Sequence, residues 1–364
     1  MRIVLISGIV FVHIPFGPQS SPFQGTYGLF DWIRVFLRDS LFRVGVPCLS
    51  AISGYLLFRH GSTALNYGKT VARKAKTVLL PFLLWNGAFF LIVLALQSEG
   101  IGQGYLPDLW SANARTLATL LLALQDAPIN LPLYFLRDLF VCILLSPVLA
   151  SLIGRFPIPT LVVLLALAVL PISLGIVLRN SILFSFSFGI YASLHRIDLK
   201  ILDRYALPVS VAFLTLAAVL ATGLYETGPD FPAWLNISRN LMVLAGIPGF
   251  WALSAILIRS RAGQKLAKTG GLSFWIFCAH YPMLLLLWMI WNRTGSDQYP
   301  VFYVLAAAIT FSVLPLTNSL AKHFLPSVYN ILTGSRARPA TAAPVTTAAP
   351  MGEERSRKYS SHHR

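Results

Sequence analysis

The chain has 364 residues, of which 56% are hydrophobic and only 12% charged. A soluble domain carries about 25% charged residues, and a chain this apolar cannot stay disordered over most of its length. The formal net charge of +16 would point to nucleic acid in a soluble protein. In a chain with apolar runs near twenty residues from end to end, it instead marks the flanks of membrane spans that face the cytoplasm, and no nucleic-acid partner is expected.

Apolar runs bounded by charged, Gly or Pro clusters predict an all-α polytopic bundle of ten transmembrane helices. They fall at about 3–16, 41–58, 78–97, 133–153, 160–178, 181–194, 205–224, 240–258, 273–291 and 300–321. The first and sixth are short for a hydrocarbon core of ~30 Å, which implies local thinning or burial within the bundle. Val-His-Ile-Pro follows the first run where a cleavage site would need small residues, so this span is expected to remain in the mature protein. Asp31–Arg43 reads as an interfacial helix, with Arg34 and Arg38 on one face and Phe36, Leu37 and Leu41 toward the membrane. Arg115–Gln125 is apolar but too short to span and is placed at the interface too. Cys48, Cys142 and Cys278 lie far apart inside apolar runs and read as small core residues rather than disulfide or metal partners. From Ser335 the composition turns to Ala, Pro and Thr, and the expected division is a transmembrane domain over 1–325 and a disordered cytoplasmic tail over 326–364.

Basic residues test this layout. With both termini in the cytoplasm, 21 of the 29 Lys and Arg residues fall in cytoplasmic segments. The other eight, Arg34, Arg38, Arg43, Arg115, Arg137, Arg179, Arg239 and Arg293, fall outside or near the outer boundary. All lysines are on the inner side, which supports an even number of spans.

In the first span, Arg2 and His13 are separated by ten residues. Eleven steps of 100° return to within about 20° of the starting direction, so both side chains share a face about 16 Å apart. An ionisable pair on one face of a membrane helix more often lines a polar interior than lipid, although Arg2 as a topological anchor and His13 as an interfacial residue would serve the same pattern.

The Arg-x10-His spacing resembles the signature of the membrane-bound acyltransferase 3 family, whose members move acyl groups onto surface polysaccharides and lipids. Further similarities run in order along residues 1–325. They are Phe42-Arg43-Val44-Gly45-Val46-Pro47 leading to Ser53-Gly54-Tyr55, then Arg73-Lys74-Ala75-Lys76 before Pro81-Phe82-Leu83-Leu84-Trp85. Leu133-Tyr134-Phe135-Leu136-Arg137-Asp138-Leu139 and Phe274-Trp275-Ile276-Phe277-Cys278-Ala279-His280 complete the set. Two departures are visible. Only Met1 precedes Arg2, where members carry several residues, so the natural start would lie further upstream. The basic pair opening the third span is Arg73-x-x-Lys76 rather than Arg-x-x-Arg, which loses a bidentate donor.

The resemblance implies a bacterial inner-membrane O-acyltransferase that takes an acyl group from acyl-CoA and places it on a sugar hydroxyl of an exopolysaccharide or its lipid-linked precursor. Exopolysaccharide-modifying members make succinyl-CoA the expected donor, with acetyl-CoA next. Acyl transfer needs a base for the acceptor hydroxyl, and His13 is the candidate, as base or as an acyl-carrying nucleophile. The phosphates of CoA need cations on the cytoplasmic side, and Arg2, Arg73 and Lys76 are placed there. Arg34, Arg38, Arg43, Arg137 and Asp138 are candidates for the acceptor or an acyl carboxylate, although a local ion pair accounts equally for Arg137 and Asp138. His280, amid aromatic and aliphatic neighbours, reads first as a packed histidine and second as support for His13. No bound cofactor or metal is expected. Expected partners are acyl-CoA, the polysaccharide acceptor, membrane lipids and other polysaccharide-assembly proteins. A transporter or flippase for a polysaccharide intermediate is the competing reading, with the same His and Arg coupling protons or steering substrate. No internal repeat favours it.

Overall fold

The computed structural model describes residues 1–61, 66–172 and 174–334. It is 80% helical, with no sheet among those residues. Seven helical stretches are long and apolar enough to cross a membrane, and three shorter apolar helices, Arg2–Val12, Pro157–Val169 and Asn180–Leu194, accompany them. Together they account for the ten runs read from the sequence, with one adjustment. The fifth, expected to reach residue 178, ends at Val169, so it is short like the first and sixth.

Helix α1 (Arg2–Val12) is surrounded by protein and packs on three partners. They are α14 (Ser273–Arg293), α3 (Gly45–Phe58) and the turn-rich segment that precedes α3. That segment differs from the expected interfacial helix. From α2 (Leu29–Val35) the chain passes through a π-helical stretch, Phe36–Leu41, and a 3-10 turn, Phe42–Val44, into α3 as one continuous apolar span over Leu29–Phe58. Asp31, Arg34 and Asp39 are buried, so the polar face points into the bundle and not to the headgroups. Ion pairing within the protein makes this tolerable, as described below.

Small residues set the helix spacing. A Cβ at Gly54 would meet the Phe186 carbonyl and one at Gly189 the Ala51 carbonyl, so α3 and α9 (Asn180–Leu194) pack backbone against backbone. A Cβ at Gly8 would enter the Phe42 ring, so on α1 that ring fills the place of a side chain.

The chain's basic segments gather at one end. Arg2, His60, Lys69, Gly270 and Gly334 surround one cavity, and Arg59, Arg196 and Lys200 line another beside it. At the opposite end Tyr27 donates to the Asp297 carbonyl and Tyr299 to that of Pro15. The segment expected to begin the tail is partly structured: Pro326–Thr333 is helical (α16), and the Trp85 indole donates to the Leu332 carbonyl. The remainder, 335–364, lies outside the described residues.

Candidate active site

His13 sits where α1 ends. Its backbone N–H bonds to Val10 rather than Ile9, a tightening that leaves the Ile9 carbonyl without its helical partner. The imidazole Nδ1 takes that place, 2.9 Å from Ile9 O. Pro15, two residues on, prevents the helix from continuing.

His280 lies opposite, fully buried in α14, with ring centroids 5.2 Å apart. Its Nδ1 is 3.0 and 2.8 Å from the carbonyls of Ile276 and Phe277. Carbonyls only accept, so both Nδ1 atoms carry the proton and both Nε2 atoms are bare. His280 Nε2 can then accept from His13 Nδ1–H at 3.4 Å, a long contact shared with Ile9. His13 Nε2 is left as the free lone pair of the pair, on a half-buried ring. Pro282 shapes this site too. It cannot donate to the Cys278 carbonyl, and Asn130 Nδ2 donates to it instead at 3.0 Å. The described residues contain no cluster of three or more metal-ligating side chains.

Arg2, on the same helix, opens into the cavity of about 1000 Å³ at the basic end. Lys69, Arg73, Lys74 and His60 also line it, and Ile6 and Phe277 face it from the His13 side. Neither His13 nor His280 lines it. Lys76 is directed elsewhere, into an adjacent cleft with Arg73, Asn330 and Gly334. Arg73 lines both spaces, whereas Lys76, on the π-helical stretch from Ala75 to Leu79, lines only the cleft. Lys69 is the residue four before Arg73 on regular helix, and that spacing was a readable signal for it.

The remaining arginines differ in their partners. Arg34 is engaged on all sides, donating to Asp31 at 2.7 Å and to the Ser20 carbonyl at 2.9 Å and lying 4.1 Å from the Tyr299 ring centre. Arg137 donates to Asp138 at 2.9 Å and to the Ile176 carbonyl at 2.7 Å. Asp138, fully buried, also accepts the backbone N–H groups of Leu178 and Arg179. The Arg137–Asp138 pair thus latches the segment before α9 and presents no free carboxylate oxygen to a sugar. Arg38 lies 4.6 Å from the Phe16 ring centre and within electrostatic range of His13. Arg43 is exposed inside the bundle.

A bare imidazole nitrogen oriented by a second histidine, with a cation-lined cavity along the same helix, is the equipment of a group-transfer site for an anionic donor. Residues 1–317 match the acyltransferase domain model of the acyltransferase 3 family, and the chain belongs to that family of membrane acyltransferases. Among characterised sequences it is similar to the succinoglycan biosynthesis protein ExoH of Rhizobium meliloti (strain 1021), with 57% identity over 92% of this chain and 91% of that one. No solved structure matches it.

Proposed function

We propose that this protein is an acyl-CoA-dependent O-acyltransferase that places a succinyl group on a sugar hydroxyl of an exopolysaccharide or its lipid-linked precursor. The observation that carries the mechanism is the hydrogen-bonded His13–His280 pair with His13 Nε2 free. The exopolysaccharide and the succinyl group come from the likeness to a succinoglycan biosynthesis protein.

On this reading the basic end faces the cytoplasm of a bacterial inner membrane, both termini are cytoplasmic, and the phosphates of CoA lie among Arg2, Lys69, Arg73 and Lys74. The acyl arm extends past Ile6 and Phe277 toward His13, about 16 Å along α1 from Arg2. Nε2 of His13 takes the proton of the acceptor hydroxyl as its oxygen attacks the thioester carbonyl. The C–S bond breaks, and the CoA thiolate leaves with that proton returned from the imidazolium. His280 Nε2 and the Ile9 carbonyl hold the Nδ1–H of His13 throughout and so keep Nε2 the nitrogen that takes the proton. His280 is thus a positioning residue. A transient acyl-imidazole on the same nitrogen would use the same groups.

CoA release by purified protein in lipid vesicles, supplied with succinyl-CoA and deacylated exopolysaccharide, tests the proposal. Acylation of the polymer with stoichiometric CoA is the expected result. A transporter would release no CoA from either succinyl-CoA or acetyl-CoA, and that outcome would remove the enzymatic reading.

A further inference from the structure

Four arginines from three parts of the chain gather around Asp39, and one of them, Arg38, is also within electrostatic range of His13. Helix register places them. Antiparallel α1 sets Gly8 against Phe42 and Ile9 against Gly45, which brings His13 level with Arg38. Helix α9 runs parallel to α3 with Gly54 against Phe186 and Ile190, which brings Arg179, the residue before α9, level with Arg43. Helix α12 (Ala233–Arg259) lays Gly246 on Val44, and Arg239 stands about two turns farther from the basic end, opposite Asp39.

These groups share a single carboxylate. Arg239 Nη2 approaches Asp39 Oδ1 at only 3.6 Å, while Asp39 Oδ2 and Arg239 Nε are buried without a hydrogen-bond partner among the described residues. Arg43 makes no ion pair among those residues, yet Asp39, Tyr134, Arg179 and Arg239 are all within its electrostatic range. Arg179 lies 5.9 Å from the Tyr134 ring centre, and Asp138 fixes its backbone. Arg137 and Asp138 neutralise each other. Four guanidinium groups against Asp39 alone leave a surplus of positive charge at membrane depth, an expensive arrangement without an anion to meet it. An orphaned Nε–H in a fixed guanidinium fork asks for an oxyanion, and a planar carboxylate suits it.

We propose that Arg38, Arg43, Arg179 and Arg239 form a carboxylate-binding site that receives the free end of a dicarboxylic acyl group while its thioester carbonyl lies at His13. The proposal rests on the acyl-CoA reading above and goes further by naming the groups that select the donor. The depth of the site decides between anions. The donor's phosphates remain at the basic end with Arg2 and Arg73, so the part of the donor that arrives level with His13 is the acyl group. Its far carbon then falls beside Arg38 and the site around Asp39. Acetyl, with no carboxylate, leaves the arginines as they are. Asp39 turns Arg239 into the site and is a positioning residue.

The test compares succinyl-CoA with acetyl-CoA in the CoA-release assay, using full-length wild type, Arg43→Gln, Arg239→Gln and Arg239→Lys. In the Gln variants the succinyl-to-acetyl ratio of kcat/KM should fall at least tenfold, mainly through KM for succinyl-CoA, with Arg239→Lys intermediate. An equal loss for both donors, or an unchanged ratio, overturns the site. Wild type preferring acetyl-CoA overturns it while leaving the acyl-CoA reading intact, whereas CoA release from neither donor removes both. A measurement without variants guards against misfolding: succinyl-CoA should raise the wild-type Tm more than acetyl-CoA does, and equal shifts overturn the proposal.

Discussion

The two halves of the bundle hold their cations differently. At the basic end lysine and arginine are mixed around an open cavity. In the other half the cations are all arginine, and among them Arg34, Arg38 and Arg179 lie on aromatic rings while Arg34, Arg137 and Arg239 pair with Asp31, Asp138 and Asp39. An ammonium is strongly hydrated and stays where water reaches it, whereas a guanidinium sheds water more readily and rests on aromatic faces. Lysine therefore stays at the basic end, whereas arginine also serves at depth. Each half also holds a π-helical stretch, Ala75–Leu79 and Phe36–Leu41. The first carries Lys76, which lines a cleft beside the basic cavity, and the second carries Arg38 and Asp39, near His13 and Arg239.

The sharpest break in this comparison comes at the histidine between the halves. His13→Ala should lower acyl transfer by about 10³-fold, within the usual range for a lost general base, with normal membrane insertion. Near-normal rates in a well-expressed variant would remove His13 from the chemistry. Within the basic end, Arg73→Gln should raise KM for acyl-CoA about 10–100-fold, the worth of one charge-assisted hydrogen bond, and Lys76→Gln should raise it far less. Equal effects would mean that the adjacent cleft, which Lys76 lines with Arg73, also receives the donor.

A smaller effect is expected at His280. Replacement by Gln should reduce kcat about tenfold and leave KM for acyl-CoA nearly unchanged, because the side chain orients His13 and contacts no donor group. Steady-state kinetics with varied succinyl-CoA would show this, and a change confined to KM would contradict it. The topology itself can be probed with no effect on activity. Single cysteines introduced at Gly61 and Ala262 should be labelled from the cytoplasmic side and one at Ser111 from the other. Labelling of Gly61 or Ala262 from outside would reverse the assignment of the two halves.

The histidine site was half legible in the chain. The ten-residue spacing puts Arg2 and His13 on one face because a helix repeats every 3.6 residues, a local property. His280 is 267 residues away from His13. No periodicity links them, and a histidine among aromatic residues looks the same whether it packs or orients a base. Lys76 shows the opposite failure: the i, i+3 spacing puts it beside Arg73, as the structure does, but the space the two share is the adjacent cleft and not the basic cavity. Asp31–Arg43 failed for a related reason, since two arginines on one helical face look identical whether headgroups or buried carboxylates receive them.

The sequence by itself determined the membrane class, the helical spans and the family, because apolar length and short motifs are local quantities. Only the tertiary structure decided which cations share a cavity, which are consumed by their own ion pairs, and which converge on Asp39. Those outcomes depend on helix register, set by close contacts at Gly8, Gly54, Gly189 and Gly246 between segments far apart in the chain. Side-chain partnership at membrane depth follows from that register, since without water a charge must find its counterpart in another helix.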